Sequence, residues 1–269
     1  LSYNRSVLSI HDLAFGPNRR ELYSETTSVS GKLANTFSTG LGVAETGSVT
    51  VGTDFYRDQG HGIISAPIVN VGQGTDNTET SYNVGVFAQS RLNVTQRLRL
   101  SLGIRYDQQW FEGIEGTDIS GGGPGGSANV EYDALTWLTG YAGAASTYGG
   151  IPLGESAIFN FANQWNYQDL SSSRSYSYKL GVKGVEGPFS GDAHIFYTRI
   201  LNSHQRGDND RRSNINLTSK GLNLSGKYTY GDGYVRATYS YQNLRANGEV
   251  LVTGSASYHG FNMGSTMTF

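Results

Sequence analysis

The sequence contains no cysteine, which excludes disulfide bonds, zinc sites built on thiolates and cysteine nucleophiles. It also contains no run that approaches the roughly 18 to 20 consecutive apolar residues that a membrane-spanning helix requires. Charged residues make up only 16% of the chain and the formal net charge is -2, so the basic excess of a nucleic-acid-binding protein is missing. A helical membrane protein and a nucleic-acid-binding protein are therefore excluded.

Glycine and tyrosine are abundant instead, with 37 Gly and 18 Tyr alongside 11 Phe. Hydrophobic residues amount to only 37%. This low share suits membrane-spanning strands, because each strand shows an apolar side chain to lipid only at every second residue and a polar one to an aqueous lumen. The composition therefore favours an all-β membrane wall over a soluble enzyme.

Strict alternation of apolar and polar residues predicts β-hairpins. The clearest runs from Tyr82 to Phe111, where Leu100 and Leu102 alternate with arginines across a pattern that cannot pack as an amphipathic helix. Two similar hairpins occupy residues 175–200 and 222–241. Membrane strands of about 9 to 11 residues with their connections allow roughly a dozen strands in a chain of this length.

The last residues of the chain alternate in the same way and end in an aromatic side chain. Bacterial outer-membrane β-barrels commonly close on such a strand, which the barrel-assembly machinery reads. We therefore predict a location in the bacterial outer membrane and an assembly signal on one face of this strand. The residues of the predicted signal are Phe261, Met263, Met267 and Phe269.

Three stretches between the predicted strands are long and irregular in pattern: 61–81, 113–172 and 202–219. Connections of this length are unusual in a compact domain unless they carry function, and in outer-membrane barrels they lie outside the cell. The glycine run 121–126 is accordingly predicted to be a mobile extracellular loop. A phosphate-binding loop is disfavoured because it needs a preceding buried strand and a following helix.

Charged residues on the polar faces of the strands are predicted to face the lumen. There they would pair with each other or with the interior of the barrel more readily than line a substrate path. The predicted lumen-facing residues are Arg91, Arg105, Asp107, Lys179, Lys183, Lys227 and Arg236.

Three segments, in order, resemble the C-terminal part of the barrel of TonB-dependent outer-membrane transporters. Residues 82–107 resemble the strand pair that ends in a "GxRYD" element, and 166–183 resemble an "NPDL…SYELGVK" segment, with Tyr167 where proline is usual. Residues 196–224 resemble the "FYTRI…KGVEL" pair that follows. The resemblance implies an antiparallel transmembrane β-barrel of about 22 strands with a plugged lumen and long extracellular loops. Residues 1–269 would be its C-terminal portion, about half of the barrel, with the plug domain absent from this chain.

Within this family, residues 47–58 resemble a strand that is frequent in haem-uptake receptors. Haem receptors usually present a histidine as axial ligand, and neutral imidazole binds iron well. The resemblance therefore implies haem or a ferric chelate as transported ligand, with no prosthetic group and no resident metal. His61 and His204 are the candidate ligand-binding histidines, and Tyr148 and Trp165 are candidate aromatic contacts.

The partners that the resemblance implies are membrane components and transport proteins. They are outer-membrane lipid and lipopolysaccharide, the TonB complex acting through a plug, the barrel-assembly machinery, the remaining barrel strands from elsewhere, and a haem-carrier protein. Two alternatives to haem uptake remain: a ferric-siderophore receptor, or a self-contained barrel acting as porin, adhesin or hydrolase. A hydrolase needs a nucleophile beside a general base, and no Gly-x-Ser-x-Gly motif occurs, so we expect no enzyme.

Overall fold

The computed structural model of the 269-residue chain describes residues 1–15, 18–39, 46–65, 77–113, 118–151, 153, 170–206, 212–231, 233–250 and 257–266. Thirteen β-strands occupy these ranges. None of the described residues lies in a helix long and apolar enough to cross a membrane. The strands are β1 (Ser2–Phe15), β2 (Asn18–Thr39), β3 (Thr46–Ser65), β4 (Asn77–Asn93), β5 (Leu98–Glu112), β6 (Asp118–Asp133), β7 (Leu138–Gly150), β8 (Ser173–Glu186), β9 (Phe189–Arg206), β10 (Arg212–Tyr230), β11 (Gly233–Ala246), β12 (Glu249–Val250) and β13 (Ser257–Thr266).

All thirteen strands belong to one antiparallel sheet in which consecutive strands are neighbours. The order runs from β1 to β12, and β13 pairs with β11 beside the two-residue strand β12. Most strands have 13 to 22 residues, whereas about 9 to 11 suffice to cross a bilayer. The predicted all-β antiparallel wall of about a dozen strands is therefore confirmed.

The sheet has one apolar face and one polar face, because the strand register keeps like residues side by side. Phe55 of β3 lies opposite Val84 of β4, and Leu180 of β8 lies opposite Ile195 of β9. Apolar side chains on this face are solvent-accessible: the exposed fraction is 70% for Ile104 and 58% for Leu180. An apolar surface of this extent on a single sheet is typical of a wall that faces hydrocarbon.

Tight turns join the strands at one end of the sheet. Residues 94–97 connect β4 to β5, where the Thr95 hydroxyl accepts a hydrogen bond from the Leu98 amide at 3.0 Å. Gly187 begins the turn between β8 and β9 with φ at 54°, a left-handed conformation that glycine adopts without steric cost. At the other end the connections range from 2 residues between β1 and β2 to 11 between β3 and β4 and 22 between β7 and β8.

The prediction of an irregular stretch over 113–172 was wrong in its first part, which contains β6 and β7. The glycine run 121–126 is therefore strand and not a mobile loop. Glycine is required there by close neighbours, since a Cβ at Gly125 would come within 3.0 Å of the Ser146 carbonyl oxygen. Pro124 is tolerated because the pairing of β6 with β7 starts only at Gly126, which leaves its nitrogen outside that ladder.

The other two irregular stretches are also shorter than predicted. Strand β3 continues through His61 to Ser65, and β4 begins at Asn77. Strand β9 continues through His204 to Arg206, and β10 begins at Arg212. These strands extend beyond the apolar band because backbone pairing does not depend on side-chain polarity. The pairing continues without a shift between β3 and β4, and past one register shift, between Ile215 and Leu217, where β10 pairs with β9.

A cation placed on the apolar face tests its contact with hydrocarbon. In the full-length protein, Ile104→Arg should lower the free energy of unfolding by about 2 to 4 kcal/mol if this position lies near the bilayer midplane. Ser101→Arg, on the polar face of the same strand, is the matched control and should change it by less than about 0.5 kcal/mol. Urea unfolding in phospholipid vesicles measures both, and equal effects of the two variants would contradict a lipid-facing surface.

Candidate functional site on the polar face of the sheet

The centre of the polar face is an arginine held by two carboxylates. Arg105 of β5 donates to Asp54 of β3 through Nη1 at 2.8 Å and Nη2 at 2.6 Å, and its Nε donates to Asp107 at 2.8 Å. Asp107 is only 4% exposed. Gly85 of β4 pairs with Asp54 on one side and with Asp107 on the other. A Cβ at Gly85 would overlap the Arg105 guanidinium. The missing side chain lets Arg105 reach across a whole strand.

A second ion cluster lies nearer the tight turns. Arg99 donates to Asp133 at 2.7 Å through Nη2 and to Glu131 at 3.3 Å through Nε. Lys183 donates to the other oxygen of Glu131 at 2.9 Å, and the Thr139 hydroxyl donates to Asp133 at 2.7 Å. The cluster joins β5, β6, β7 and β8, so it fixes the register of four strands with charge-assisted hydrogen bonds.

A third group links β7, β9 and β10 through a histidine. The Tyr141 hydroxyl donates to Asp192 at 2.7 Å, and Asp192 is 2.6 Å from Nδ1 of His194. Asn223 Nδ2 lies 3.1 Å from Nε2 of the same ring. A neutral imidazole with its proton on Nδ1 satisfies both contacts together. Since both ring nitrogens are engaged, His194 is placed as a wall residue and not as a base for a nucleophile.

A buried group covers the polar face at the end with the longer connections. The Gln109 amide donates to the Ile151 carbonyl at 2.8 Å and accepts from the Ile151 amide at 2.7 Å, and it also donates to Ser81 at 2.9 Å. Ile151 packs against Phe111 and Leu170 in a small apolar core. The chain therefore turns inwards after β7. We call Gly150, Ile151 and Leu153 the inner strap.

Beside the inner strap lies a buried side-chain amide that can accept a further hydrogen bond. Asn83 is 3% exposed, and its Oδ1 has no hydrogen-bond partner among the described residues. Tyr148 is also buried there, and its hydroxyl lies 2.9 Å from Ser172 Oγ. Its ring packs so close to Gly123 that a Cβ at that position would lie 3.1 Å from it. Amide, hydroxyl and aromatic groups are thus collected at one end of the polar face, which suits a ligand that is flat and partly polar.

The residues predicted to face the lumen share this polar face. Arg105, Asp107 and Lys183 belong to the ion clusters described above. Lys179 lies 5.5 Å from the Tyr141 ring centroid and Lys227 lies 4.5 Å from that of Tyr234, both within cation–π range. Arg91 and Arg236 are exposed. That this face lines a lumen stays a prediction.

Of the four predicted ligand-binding residues, His61 and Tyr148 have described side chains, and these two lie toward one end of the sheet but on different faces. His61 follows Phe55 in β3 by six residues without a register shift, so alternation places it on the side of the apolar face. Its Nδ1 lies 3.0 Å from the Thr78 hydroxyl. The Tyr148 side chain lies against Gly121 and Gly123 on the polar face, and the register shift in β7 follows it, between Tyr148 and Gly150. His204 is in β9 opposite Asn214, its side chain outside the described set, and Trp165 falls outside the described residues.

The predicted assembly signal is described only in part. Phe261 and Met263 belong to β13, where they lie opposite Tyr239 and Ala237 of β11. Met267 and Phe269 fall outside the described residues. The role of these residues in assembly stays a prediction.

Sequence reasoning missed several residues that organise the site, namely Asp54, Gln109, Glu131, Asp133 and Asp192. Alternation alone would have placed each of them on the polar face. No sequence signal indicates their partners, because Arg105 and Asp54 are 51 positions apart and meet only through strand pairing.

Sequence comparisons with known proteins agree on one family. The sequence model of the family described as "TonB dependent receptor-like, beta-barrel" matches residues 2–269. The "Heme transporter BhuA" of Brucella ovis is 26% identical over 96% of this chain, and that of Brucella abortus (strain 2308) is 26% identical over 95%. The chain covers 38% of the length of each of these relatives.

Solved structures share the fold. The ferric citrate transporter FecA superimposes with a TM-score of 0.75 at 15% identity, over 98% of this chain and 42% of that one. The ferripyoverdine receptor of Pseudomonas aeruginosa gives 0.71 at 16% identity, over 97% and 40%. The copper transporter OprC gives 0.72 at 14% identity, over 90% and 42%. The relatives are transporters and receptors, in agreement with the expectation that this chain is not an enzyme.

Removing the central arginine should leave a buried carboxylate uncompensated. We expect Arg105→Met to lower the free energy of unfolding by about 2 to 3 kcal/mol. Adding Asp107→Asn should recover at least half of that loss, because a neutral amide tolerates burial better than a charge. Arg91→Met, an exposed arginine of the same face, serves as control. Equal stability of Arg105→Met and Arg91→Met in urea unfolding would contradict this account.

The inner strap should loosen when Gln109 loses its amide. Gln109→Leu keeps the approximate volume and removes three hydrogen bonds, so amide exchange at Ile151 should accelerate by about tenfold, as expected for a local loss near 1.4 kcal/mol. Gln108→Leu, on the opposite face, should leave that exchange unchanged. Hydrogen–deuterium exchange measures both variants, and unaltered protection at Ile151 in Gln109→Leu would show that the strap is held by other contacts.

Proposed function

The chain belongs to the family of TonB-dependent receptor-like β-barrels, and on this premise we propose that it forms part of the outer-membrane wall of an energised importer for an iron-bearing ligand. The observation that carries the proposal is the single antiparallel sheet with an exposed apolar face, matched by the family model over residues 2–269. In this proposal the apolar face meets lipid and the polar face lines the lumen. Energy would reach the barrel from the TonB complex through a plug domain.

We assign the tight turns to the periplasm and the longer connections to the cell exterior. Bacterial barrels combine short periplasmic turns with long extracellular loops, and this sheet has the same asymmetry. The inner strap and Tyr148 would then lie at the extracellular mouth, and the Arg99 cluster near the periplasmic exit. Lipopolysaccharide would surround the mouth end of the apolar face.

The barrel needs strands beyond those described. In hydrocarbon each unpaired backbone group costs several kcal/mol, so a spanning sheet has to close on itself. Among the described residues β1 pairs with β2 alone, and no pairing joins it to β13. We propose that further strands complete the ring, and that the barrel-assembly machinery closes it at β13.

Haem is the ligand we favour. The supporting observation is that curated relatives aligned over at least 95% of the chain are haem transporters. The solved structures include a ferric citrate transporter and a ferripyoverdine receptor. They are only 15 to 16% identical to this chain in sequence, so they support the fold alone. A ferric siderophore therefore remains the second candidate.

Capture would take place at the mouth end of the sheet. The buried Tyr148 ring and the unpartnered Asn83 amide oxygen lie together on the polar face there. His61 and His204 lie in the strand ends beyond the apolar band, and Trp165 belongs to the connection between β7 and β8. We propose these histidines as haem contacts, with haem delivered by a carrier protein.

The histidine contacts can be tested in the full-length receptor. Under iron limitation with haem as sole iron source, His61→Ala combined with His204→Ala should reduce growth and haem affinity by about tenfold or more, as expected for loss of an axial iron ligand. A Soret band that shifts on binding to the wild type should not shift with the double variant. His259→Ala, in β13, is the matched control.

One result would count against haem uptake, and a second would count against the histidine contacts alone. If cells that lack the receptor gene still grow on haem but fail on a ferric siderophore, the second candidate replaces it. If the double variant binds haem as the wild type does, the histidine contacts are wrong although haem uptake itself stands.

A further inference from the structure

Two cations lie directly opposite each other near the tight turns, on the polar face of the sheet. Lys227 of β10 and Arg236 of β11 are register partners, and both are exposed. Like charges in directly opposed positions repel each other and destabilise a sheet unless something neutralises them. Such a pair calls for an anionic partner.

The acids nearby are already engaged. Glu131 accepts the Lys183 ammonium at 2.9 Å, and Asp192 accepts the Tyr141 hydroxyl at 2.7 Å and contacts His194 at 2.6 Å. Across the described ranges neither Lys227 nor Arg236 forms an ion pair, and the ammonium of Lys227 rests 4.5 Å from the Tyr234 ring centroid. The two positive charges are thus left without a countercharge.

The same two residues border a recess of about 440 Å³. Lys183 and Asp192 also line it, so three cations face one acid. Three further hydroxyl groups line it: Thr136, Ser190 and Ser225. The hydroxyl of Thr139, also in the lining, donates to Asp133. Guanidinium, ammonium and hydroxyl groups around one cavity form the donor set that binds carboxylate oxygens.

We infer that this recess, near the tight turns of the polar face, is a carboxylate-binding site. Its occupant is a carboxylate of the transported ligand or an acidic side chain from another part of the protein. Haem carries two propionates, so a passing haem would meet the site before it leaves the lumen. The inference that a haem propionate occupies the recess rests on the proposed function, whereas the affinity of the recess for a carboxylate does not.

A quenching experiment tests the recess directly in the full-length receptor. Trp110→Phe and other tryptophan-to-phenylalanine changes leave Trp137, which lines the recess, as the sole fluorophore. Iodide should quench Trp137 at least about twofold more strongly than in a Lys227→Gln/Arg236→Gln variant, as expected for a local potential on the order of kT. Succinate should protect Trp137 from iodide in the parent only, and neutral acrylamide should quench both equally.

Arg91→Gln/Lys179→Gln removes two cations from other parts of the polar face and should leave succinate protection intact. If succinate gives no protection in the parent and Lys227→Gln/Arg236→Gln leaves the unfolding temperature unchanged, no carboxylate occupies the recess and the inference is overturned. Equal protection of the parent and the Lys227→Gln/Arg236→Gln variant by succinate overturns it as well.

Comparison of haem with haem dimethyl ester identifies the source of the carboxylate. If the ligand supplies it, the wild type should import haem faster than the ester, and Lys227→Gln/Arg236→Gln should abolish that difference. If the protein supplies it, the variant should slow both imports equally and lower the unfolding temperature. Should the wild type import no haem, the proposed function fails, while the quenching result still decides the recess.

Discussion

The need to pair every backbone amide and carbonyl inside hydrocarbon is the constraint on which this structure depends. An unpaired group there costs several kcal/mol, so strands that cross a membrane must hold an unbroken ladder with their neighbours. The register between β4 and β5 runs without a shift from Thr80 to Asn93, and that between β3 and β4 is equally continuous. Because side chains alternate strictly along such ladders, an unbroken register produces one apolar and one polar face.

The polar face shows how a membrane wall accommodates charge. Arg105 bridges β3 and β5 over Gly85, and Arg99 connects through Glu131 to Lys183. The Arg105 bridge spans the intervening strand β4 and the Lys183 bridge spans β7, so the ions add register specificity across ladders that the backbone provides. Glycine matters at Gly85 because a side chain there would occupy the path of the guanidinium. The apolar face needs no such devices, since lipid accepts any hydrocarbon surface.

The two ends of the polar face differ in chemistry, which agrees with directional transport. The end with longer connections buries Tyr148, Asn83 and the inner strap in an amide-rich and aromatic setting. The end with tight turns carries Lys227 and Arg236, which form no ion pair with the described part of the chain. A ligand with an aromatic plane and acidic groups would find suitable contacts at both ends of such a path.

Alternation in the sequence was sufficient to predict strands and the division into faces, and the resemblance of the segments 82–107, 166–183 and 196–224 predicted the family. Alternation failed over residues 118–150, where the glycines and proline of β6 are typical of a loop, because neighbouring strands supply the pairing that local propensity does not. The pairing of Arg105 with Asp54, the inward turn at Ile151 and the opposite faces of His61 and Tyr148 were decided by the tertiary structure. Those features depend on which strands are neighbours and on where a register shift occurs, and alternation within one strand carries no information about either.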